Sequence, residues 1–392
     1  MAKICMVAYT YYERDPRVRR DAETLIEAGY AVEVIALRDD TQSSKEIIGG
    51  VKIYRVPMSK LRGGKLSYVF TYLAFFIFAS CYVSILHLRN RYRLIHVHNM
   101  PDFLVFSALL PKILGVPVIL DIHDPMPELF GSIFTGKANS FFRTILLFEE
   151  KISFWFADQL ITVHKGMFDL LTNRGVNPAR LEIIHNLPDP AVFGKPIATH
   201  ANQDYFTLVY AGTVSPRHRL DLAIQALSSL KDEMPDLRLK IIGDGPDLPR
   251  LKSLAKENQI EAKVDFQGVV SMVKVPALLG QCDVALASYS DDDFGNLVFP
   301  TKAVEALMVG LPVLCTKVKA VLDYLDDETL FYFMPGDIDS FIHQIRLIRQ
   351  NPELVKTKLK NGQNFLSVYN WDKEKCKLIQ IVDNLCRKGY ER

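Results

Sequence analysis

Lys302 and Glu305 stand one helical turn apart in residues 294–312, FGNLVFPTKAVEALMVGLP. Pro300 and Thr301 can open a helix there, because the first turn does not need the N–H that proline lacks. Ala303, Val304, Ala306, Leu307 and Met308 make the helix apolar, and Gly310 can end it. A carboxylate inside such a helix is costly unless something pairs with it. The helix start also offers free N–H groups and a partial positive charge, which suit a phosphate. The arrangement therefore reads as a phosphate held near Thr301 and Lys302, with Glu305 gripping hydroxyls just behind it. A structural Lys–Glu contact on a packed helix is the alternative.

Other candidates lie where apolar runs end. Residues 3–9 (KICMVAY) read as a buried strand, and the loop after them carries Arg14, Asp15, Arg17, Arg19 and Arg20. Arg14 and Asp15 are the ligand candidates there; the other arginines suit a solvated helix start. His96 and His98 end a strand and point the same way. No third and fourth ligand stands at a recognisable spacing, so a metal is not expected. His123 and Asp124 follow the strand at 118–122. Gly212, at the end of the strand at 206–210, permits close backbone approach. Arg217 and Arg219 flank His218 just beyond it and can hold a diphosphate. Gly243 and Gly245 shape the loop after the strand at 237–242. Asp291, Asp292 and Asp293 form an acidic loop before Phe294.

These positions require a scaffold of alternating strands and helices. The rhythm of strand, helix and strand runs through the chain and indicates parallel sheets with right-handed crossovers. Ligands in such sheets gather at the carboxyl ends of strands. The pattern breaks at a polar, proline-bearing stretch around 186–204 and restarts at Phe206. The chain is therefore expected to hold two Rossmann-like α/β domains with a cleft between them. The first spans 1–190 and the second 200–371, with a terminal helix at 372–392 crossing back onto the first. No GxGxxG fingerprint is present, which argues against a dinucleotide site. The 392 residues carry a net charge of +2, so nothing signals a nucleic-acid partner. The six cysteines are scattered without a CxxC pair and no signal peptide opens the chain, which favours a reducing cytoplasm.

Residues 66–88 (LSYVFTYLAFFIFASCYVSILHL) contain no Asp, Glu, Lys or Arg. That length can span a bilayer. A spanning helix would put the strands before it and the strand after it on opposite sides of a membrane, so spanning is rejected. The segment is either buried in the domain or lies in a membrane surface. Its aromatics, the flanking Lys60, Arg62, Lys65 and Arg89, Arg91, Arg93, and the aromatic-rich residues 141–156 favour the second reading.

The order of GTVSPRHRLDLAIQAL, IIGDGPDLPRLKSLA, VDFQGVV, FPTKAVEALMVGLPV and FMPGD, preceded by HVHNMPD and DIHDPMPELF, resembles the group-one retaining glycosyltransferases. The resemblance covers essentially the whole chain. It implies the GT-B fold, a nucleotide diphosphate sugar bound by the second domain, and an acceptor held by the first. Glu305 would bind the donor ribose, and the backbone near Val269 and Val270 would meet the base. Phe294, Gly295 and Asn296 would line the sugar and diphosphate, with Gly212, Thr213, Gly243, Thr301 and Lys302 around them. Arg217 and Arg219 would stabilise the leaving diphosphate without a metal or other cofactor. His123 would contact the donor sugar or orient the acceptor, and Arg14, Asp15 and Asp124 would bind the acceptor. Two departures stand out. Many members carry a second glutamate, whose place falls on Leu297, with Asp293 as a candidate substitute. A basic residue and a lysine of the family fall on Thr213 and His218. The uncharged aromatic run 66–88, its basic flanks and the aromatic-rich residues 141–156 lead to the expectation of a lipid-linked or cell-surface polysaccharide precursor as acceptor, reached by peripheral attachment to the inner face of the cytoplasmic membrane. A nucleotide-sugar epimerase and a non-catalytic nucleotide-sugar-binding scaffold are the rival readings.

Overall fold

The structure is a computed structural model that describes residues 1–59, 65–133, 139–194 and 204–388. The chain forms two compact units: Met1–Asn186 with Asp372–Arg392, and Leu187–Trp371. Each is a sheet layered between helices.

The first unit contains β1 (Lys3–Ala8), β2 (Ala31–Leu37), β3 (Lys45–Ile48), β4 (Val51–Val56), β5 (Leu94–His98), β6 (Val118–Ile122), β7 (Gln159–Thr162) and β8 (Leu181–Ile183). Their order across the sheet is β3-β4-β2-β1-β5-β6-β7-β8. All neighbours are parallel except β3, which pairs antiparallel with β4. That edge hairpin turns at Gly49 and Gly50, both at positive φ, the backbone that a tight two-residue turn demands. The strand order reverses between β1 and β5, so their carboxyl ends open the crevice where such sheets bind ligands. The helix Trp371–Lys388 is tied to this unit from Asp372 onward. Glu374 accepts a hydrogen bond from the His185 amide at 3.0 Å, and its other oxygen lies 3.1 Å from His185 Nδ1.

The second unit contains β9 (Phe206–Ala211), β10 (Leu237–Ile242), β11 (Val264–Gly268), β12 (Val284–Ala287), β13 (Val313–Thr316) and β14 (Phe331–Phe333), all parallel, in the order β11-β10-β9-β12-β13-β14. Alternate side chains feed two cores. Leu208, Leu239, Ile241 and Leu286 join one face, and Val209, Ala285, Val313 and Cys315 join the other. Burial on both faces is why β12 and β13 read as unbroken apolar runs. The order reverses between β9 and β12, which places the loops after Ala211 and Ala287 at this sheet's binding crevice. β13 starts at Val313 although the apolar run begins at Leu311. Gly310 leaves the preceding helix at φ 92°, and Pro312 has no N–H to enter the ladder.

The helix Lys65–Asn90 has a buried face and an exposed apolar face. Thr71, Phe75, Ala79, Val83 and Leu86 are buried against the sheet. Phe70, Leu73, Ile77, Phe78, Ile85 and Leu88 are exposed on the opposite side. Among the described residues it is the one helix long and apolar enough to cross a membrane. The helix Asn139–Phe156 exposes Phe141, Ile145, Phe148 and Trp155 at helical spacing. Lys60 and Arg62 lie outside the described residues, as does the side chain of Lys65.

Candidate functional site

The crevice of the second unit is built on two glycines at positive φ. Gly212 has φ 144° and donates its N–H to Ile242 O at 2.9 Å. Gly243 has φ 139° and donates to Gly268 O at 2.8 Å. A Cβ on Gly243 would fall 1.9 Å from Gly212 O. The loops after β9 and β10 are thus pressed together at Gly243, where only glycine fits, with Gly212 beside it at a φ that favours glycine.

Lys302 lies directly against this backbone. A Cβ on Gly212 would sit 2.6 Å from Lys302 Cε. The Lys302 ammonium lies 5.6 Å from the Tyr210 ring centroid and 5.8 Å from that of Tyr289, within reach of cation–π attraction. Tyr210 is fixed in turn by donating its hydroxyl to Thr213 O at 2.7 Å. The helix Thr301–Val309 starts with Pro300 at its N-cap and no side chain capping it. Glu305, half-buried, follows one turn later. Burial pushes its carboxyl up to about 7 against the pull of Lys302. Burial pulls Lys302 down to about 8, opposed by Glu305 and helped by Arg217. Each charge is therefore poised, and an anion beside Lys302 would restore its proton.

The two arginines of this mouth have different partners. Arg217 stacks over Phe294, with its guanidinium carbon 5.1 Å from the ring centroid, and its buried Nε has no hydrogen-bond partner. Arg219 sits at φ 43° and turns to Asp221, at 3.2 and 3.3 Å. His218 is buried, with Nδ1 3.1 Å from Ser288 O. Burial, then Lys302 and Arg217, depress it to about 2, so it is neutral and supplies no charge. Lys302, carried on a later helix, brings the ammonium to Gly212 instead. Thr213 and Val269 are exposed, Val270 half-buried, and Phe294 and Gly295 buried.

The acidic loop is used internally. Asp292 accepts from Gly295 N at 2.6 Å and from Ser290 Oγ at 3.0 Å. Asn296 donates to Asp291 at 2.9 Å and accepts from Lys319 N at 2.9 Å. Asn296 therefore braces the loop with both ends of its amide, while Asp293 is exposed and Leu297 half-buried.

In the first unit the histidines converge. His98 stands opposite Asp121 in the β5–β6 register. Asp121 Oδ2 lies 3.3 Å from His96 Nε2, 3.3 Å from His98 Nδ1 and 3.4 Å from His123 Nε2. All four side chains are buried. The sequence reading missed Asp121, although H-x-H on β5 and D-x-H on β6 are two pairs with the same two-residue period. The cluster is compact enough for a metal, its His96, His98 and Asp121 ligand atoms lying within 4.8 Å of one another. The rings oppose that use as they stand. His96 and His98 stack with centroids 4.3 Å apart and planes 23° apart. A metal must lie in the plane of each ligating ring at about 2.0–2.1 Å, and planes so close and so nearly parallel do not meet there.

Two of the arginines expected on a solvated helix start, Arg17 and Arg20, are not solvated, while Arg19 is exposed. Arg14 is mostly exposed and pairs with Asp39 at 2.5 Å. Arg17 and Arg20, read as solvated, are drawn inward instead. Arg20 is buried beside Asp21. Arg17 grips Asp15 with Nε and Nη2, both at 3.0 Å, while Asp15 caps the helix Pro16–Glu27. Burial works to raise the Asp15 carboxyl, but Arg17 holds it well below the usual carboxylate range. Asp124 is half-buried, and its carbonyl accepts from Asn99 Nδ2 at 2.8 Å.

Two Rossmann-like α/β units, each built on a largely parallel sheet, are the architecture of the GT-B glycosyltransferases. Residues 195–365 match the family model described as "Glycosyl transferases group 1", and residues 15–187 match "Glycosyl transferase 4-like domain". The chain belongs to the group 1 glycosyltransferase family. It is 24% identical over 374 residues to a phosphatidylinositol N-acetylglucosaminyltransferase chain of Arabidopsis thaliana, covering 92% of this chain and 76% of the relative. Its fold is similar to that of sucrose-phosphate synthase from Thermosynechococcus elongatus, with a TM-score of 0.78, 19% identity, and coverage of 98% and 99% of the two chains. It is also similar to Anabaena HepE in complex with UDP-glucose, with a TM-score of 0.72, 16% identity, and coverage of 98% and 100%.

Proposed function

We propose that this glycosyltransferase moves a hexose, with retention, from a nucleotide diphosphate sugar to a lipid-linked or cell-surface saccharide precursor. The observation that carries this reading is Lys302 lying against the Gly212 backbone, with Glu305 one turn behind it. That spacing suits a diphosphate on Lys302 and ribose hydroxyls on Glu305. The similarity to HepE, whose structure contains UDP-glucose, supports the donor class.

In the proposed reaction the bond from the sugar C1 to the diphosphate oxygen breaks, and its electron pair leaves with the diphosphate. The acceptor oxygen bonds to C1 on the same face, and its proton passes to the departing phosphate. Charge gathers on the diphosphate as the bond breaks. Lys302, Arg217 and the free N–H groups at the helix start stabilise it, an effect of the oxyanion-hole kind. Arg219 adds to the field despite its pairing with Asp221. No metal is needed for this step.

The acceptor is proposed to sit in a membrane surface reached by the first unit. The exposed faces of Lys65–Asn90 and Asn139–Phe156 support peripheral attachment at the inner face of the cytoplasmic membrane. The lipid in the name of the Arabidopsis relative points the same way. Incubation with labelled UDP-glucose, UDP-N-acetylglucosamine and GDP-mannose plus a lipid extract tests the whole reading. Label in an extractable lipid supports it. Free nucleotide without an acceptor product indicates an epimerase, and binding without turnover indicates a scaffold.

A further inference from the structure

We infer that Tyr210 and Tyr289 are positioning residues whose ring faces hold the Lys302 ammonium in the crevice of the second unit, with its N–H donors left free for the diphosphate. This deepens the transferase reading and rests on it for the identity of the anion.

The inference starts from what surrounds the ammonium. Lys302 is half-buried, and among the described residues no hydrogen bond or ion pair reaches its Nζ. Glu305 and Arg217 act on it only through space. Nζ lies over the Tyr210 ring at 5.6 Å and over the Tyr289 ring at 5.8 Å. Both distances fall inside the ~6 Å at which a ring face attracts a cation. A half-desolvated ammonium without a contacting counter-ion is costly, and burial pulls Lys302 down to about 8. A carboxylate in contact would offset that cost, but it would occupy the donors and compete with an incoming anion. A ring face stabilises the cation and leaves all three N–H groups unspent.

The two rings are anchored from opposite sides of the sheet. Tyr210 lies in β9 and in one core of the unit; Tyr289, two residues past β12, lies in the other. The strand order reverses between β9 and β12, so the rings flank the crevice. The Tyr210 hydroxyl donates to Thr213 O at 2.7 Å, and the Tyr289 amide donates to Thr316 Oγ1 at 3.0 Å. His218 fills the space between them, its ring centroid 5.7 Å from that of Tyr210 and 6.5 Å from that of Tyr289. Its Nδ1 hydrogen goes to Ser288 O, and its neutrality spares Lys302 a further cation. The Tyr289 hydroxyl is buried without a partner, so the ring is the part of Tyr289 that the site uses.

The test is carbon NMR of the nucleotide-free protein with lysine labelled at Cε, the Lys302 signal being assigned by its loss in Lys302→Met. Tyr289→Phe keeps the ring face and should titrate with the wild type. Tyr289→Leu removes the face and should lower the titration midpoint of Lys302 by about 0.5–1 pH unit. That variant also leaves a cavity. Tyr289→Phe with a pentafluorinated ring keeps the shape, drains the face of charge, and should move Lys302 in the same direction. In calorimetry at pH 7.5, whichever of UDP, GDP, ADP and dTDP the wild type binds should bind Tyr289→Leu about three- to tenfold more weakly. In a Lys302→Met background the same change should cost less than about twofold. A Lys302 midpoint unmoved by both the leucine and the fluorinated variants would overturn the inference. So would an undiminished loss of affinity in the Lys302→Met background. Failure of the parent reading looks different: no nucleoside diphosphate binds the wild type, while the Lys302 midpoint still falls in Tyr289→Leu.

Discussion

Alanine at Gly212 and at Gly243 should damage the protein in different ways. At Gly243 the new Cβ would meet Gly212 O at 1.9 Å and Gly212 C at 2.9 Å. Both obstacles are backbone, so the loops after β9 and β10 must separate. Separation weakens the Gly212 N to Ile242 O and Gly243 N to Gly268 O bonds, each worth about 1 kcal/mol. The φ of 139° adds about 1–3 kcal/mol of strain for an L residue. The sum is about 3–5 kcal/mol, a large part of the ~5–15 kcal/mol that holds a domain together. A domain of this size loses roughly 2–4 °C of melting temperature per kcal/mol, so a fall of about 6–20 °C is expected. At Gly212 the Cβ would meet Lys302 Cε at 2.6 Å, the far end of a flexible side chain that can swing aside. The stability loss there should be only the strain, about 1–3 kcal/mol. Moving Lys302 should instead weaken nucleotide binding about tenfold or more. Differential scanning calorimetry and nucleotide titration of both variants check the contrast. A Gly243→Ala protein that melts with the wild type would refute the packing argument. A Gly212→Ala protein with full nucleotide affinity would refute the role given to Lys302.

Nucleotide affinity should peak between about pH 7 and 8. Below about 7 Glu305 gains a proton and loses its grip on hydroxyls, and above about 8 Lys302 loses the charge that holds the diphosphate; a flat profile from pH 6 to 9 in titration calorimetry contradicts this. Anionic liposomes should co-sediment with the protein at low salt and release much of it at high salt. Ile77→Glu with Trp155→Glu should cut that binding at least tenfold, since each buried apolar side chain contributes roughly 1.5–3 kcal/mol; unaltered sedimentation would point to a soluble acceptor. Transfer should continue in EDTA, and loss of activity restored by one divalent ion would place a metal in the reaction.

Much of the fold was legible because its signals are local. The runs VILDI, VALA and LRLKII are apolar enough to be buried strands, and the structure sets them at Val118–Ile122, Val284–Ala287 and Leu237–Ile242. Gly310 ends its helix in the left-handed conformation that its place in the sequence implied. The hairpin of β3 and β4 escaped the reading, although Gly49-Gly50 between two β-rich runs is a turn signal. β3 is polar and exposed, and an edge strand of that kind carries little apolar pattern. The site was legible where chemistry follows the chain, as with Lys302 and Glu305. It was hidden where register makes the contact. Nothing local says that His98 faces Asp121, or that Lys302 rather than His218 reaches Gly212. The inward placement of Arg17 and Arg20 was hidden for the same reason. Arg17 and Arg20 lie on the helix face turned to the strand ends, and helix phase is set by packing.

Titration calorimetry of UDP, GDP, ADP and dTDP against the wild type and Glu305→Gln tests the central claim most directly. At least one nucleoside diphosphate should bind the wild type, and the same one should bind the variant about ten- to a hundredfold more weakly, because a buried charge-assisted hydrogen bond contributes ~1.5–3 kcal/mol. Circular dichroism should show the variant folded. A folded variant that binds every one of these nucleotides as tightly as the wild type would contradict the assignment of this site to the donor.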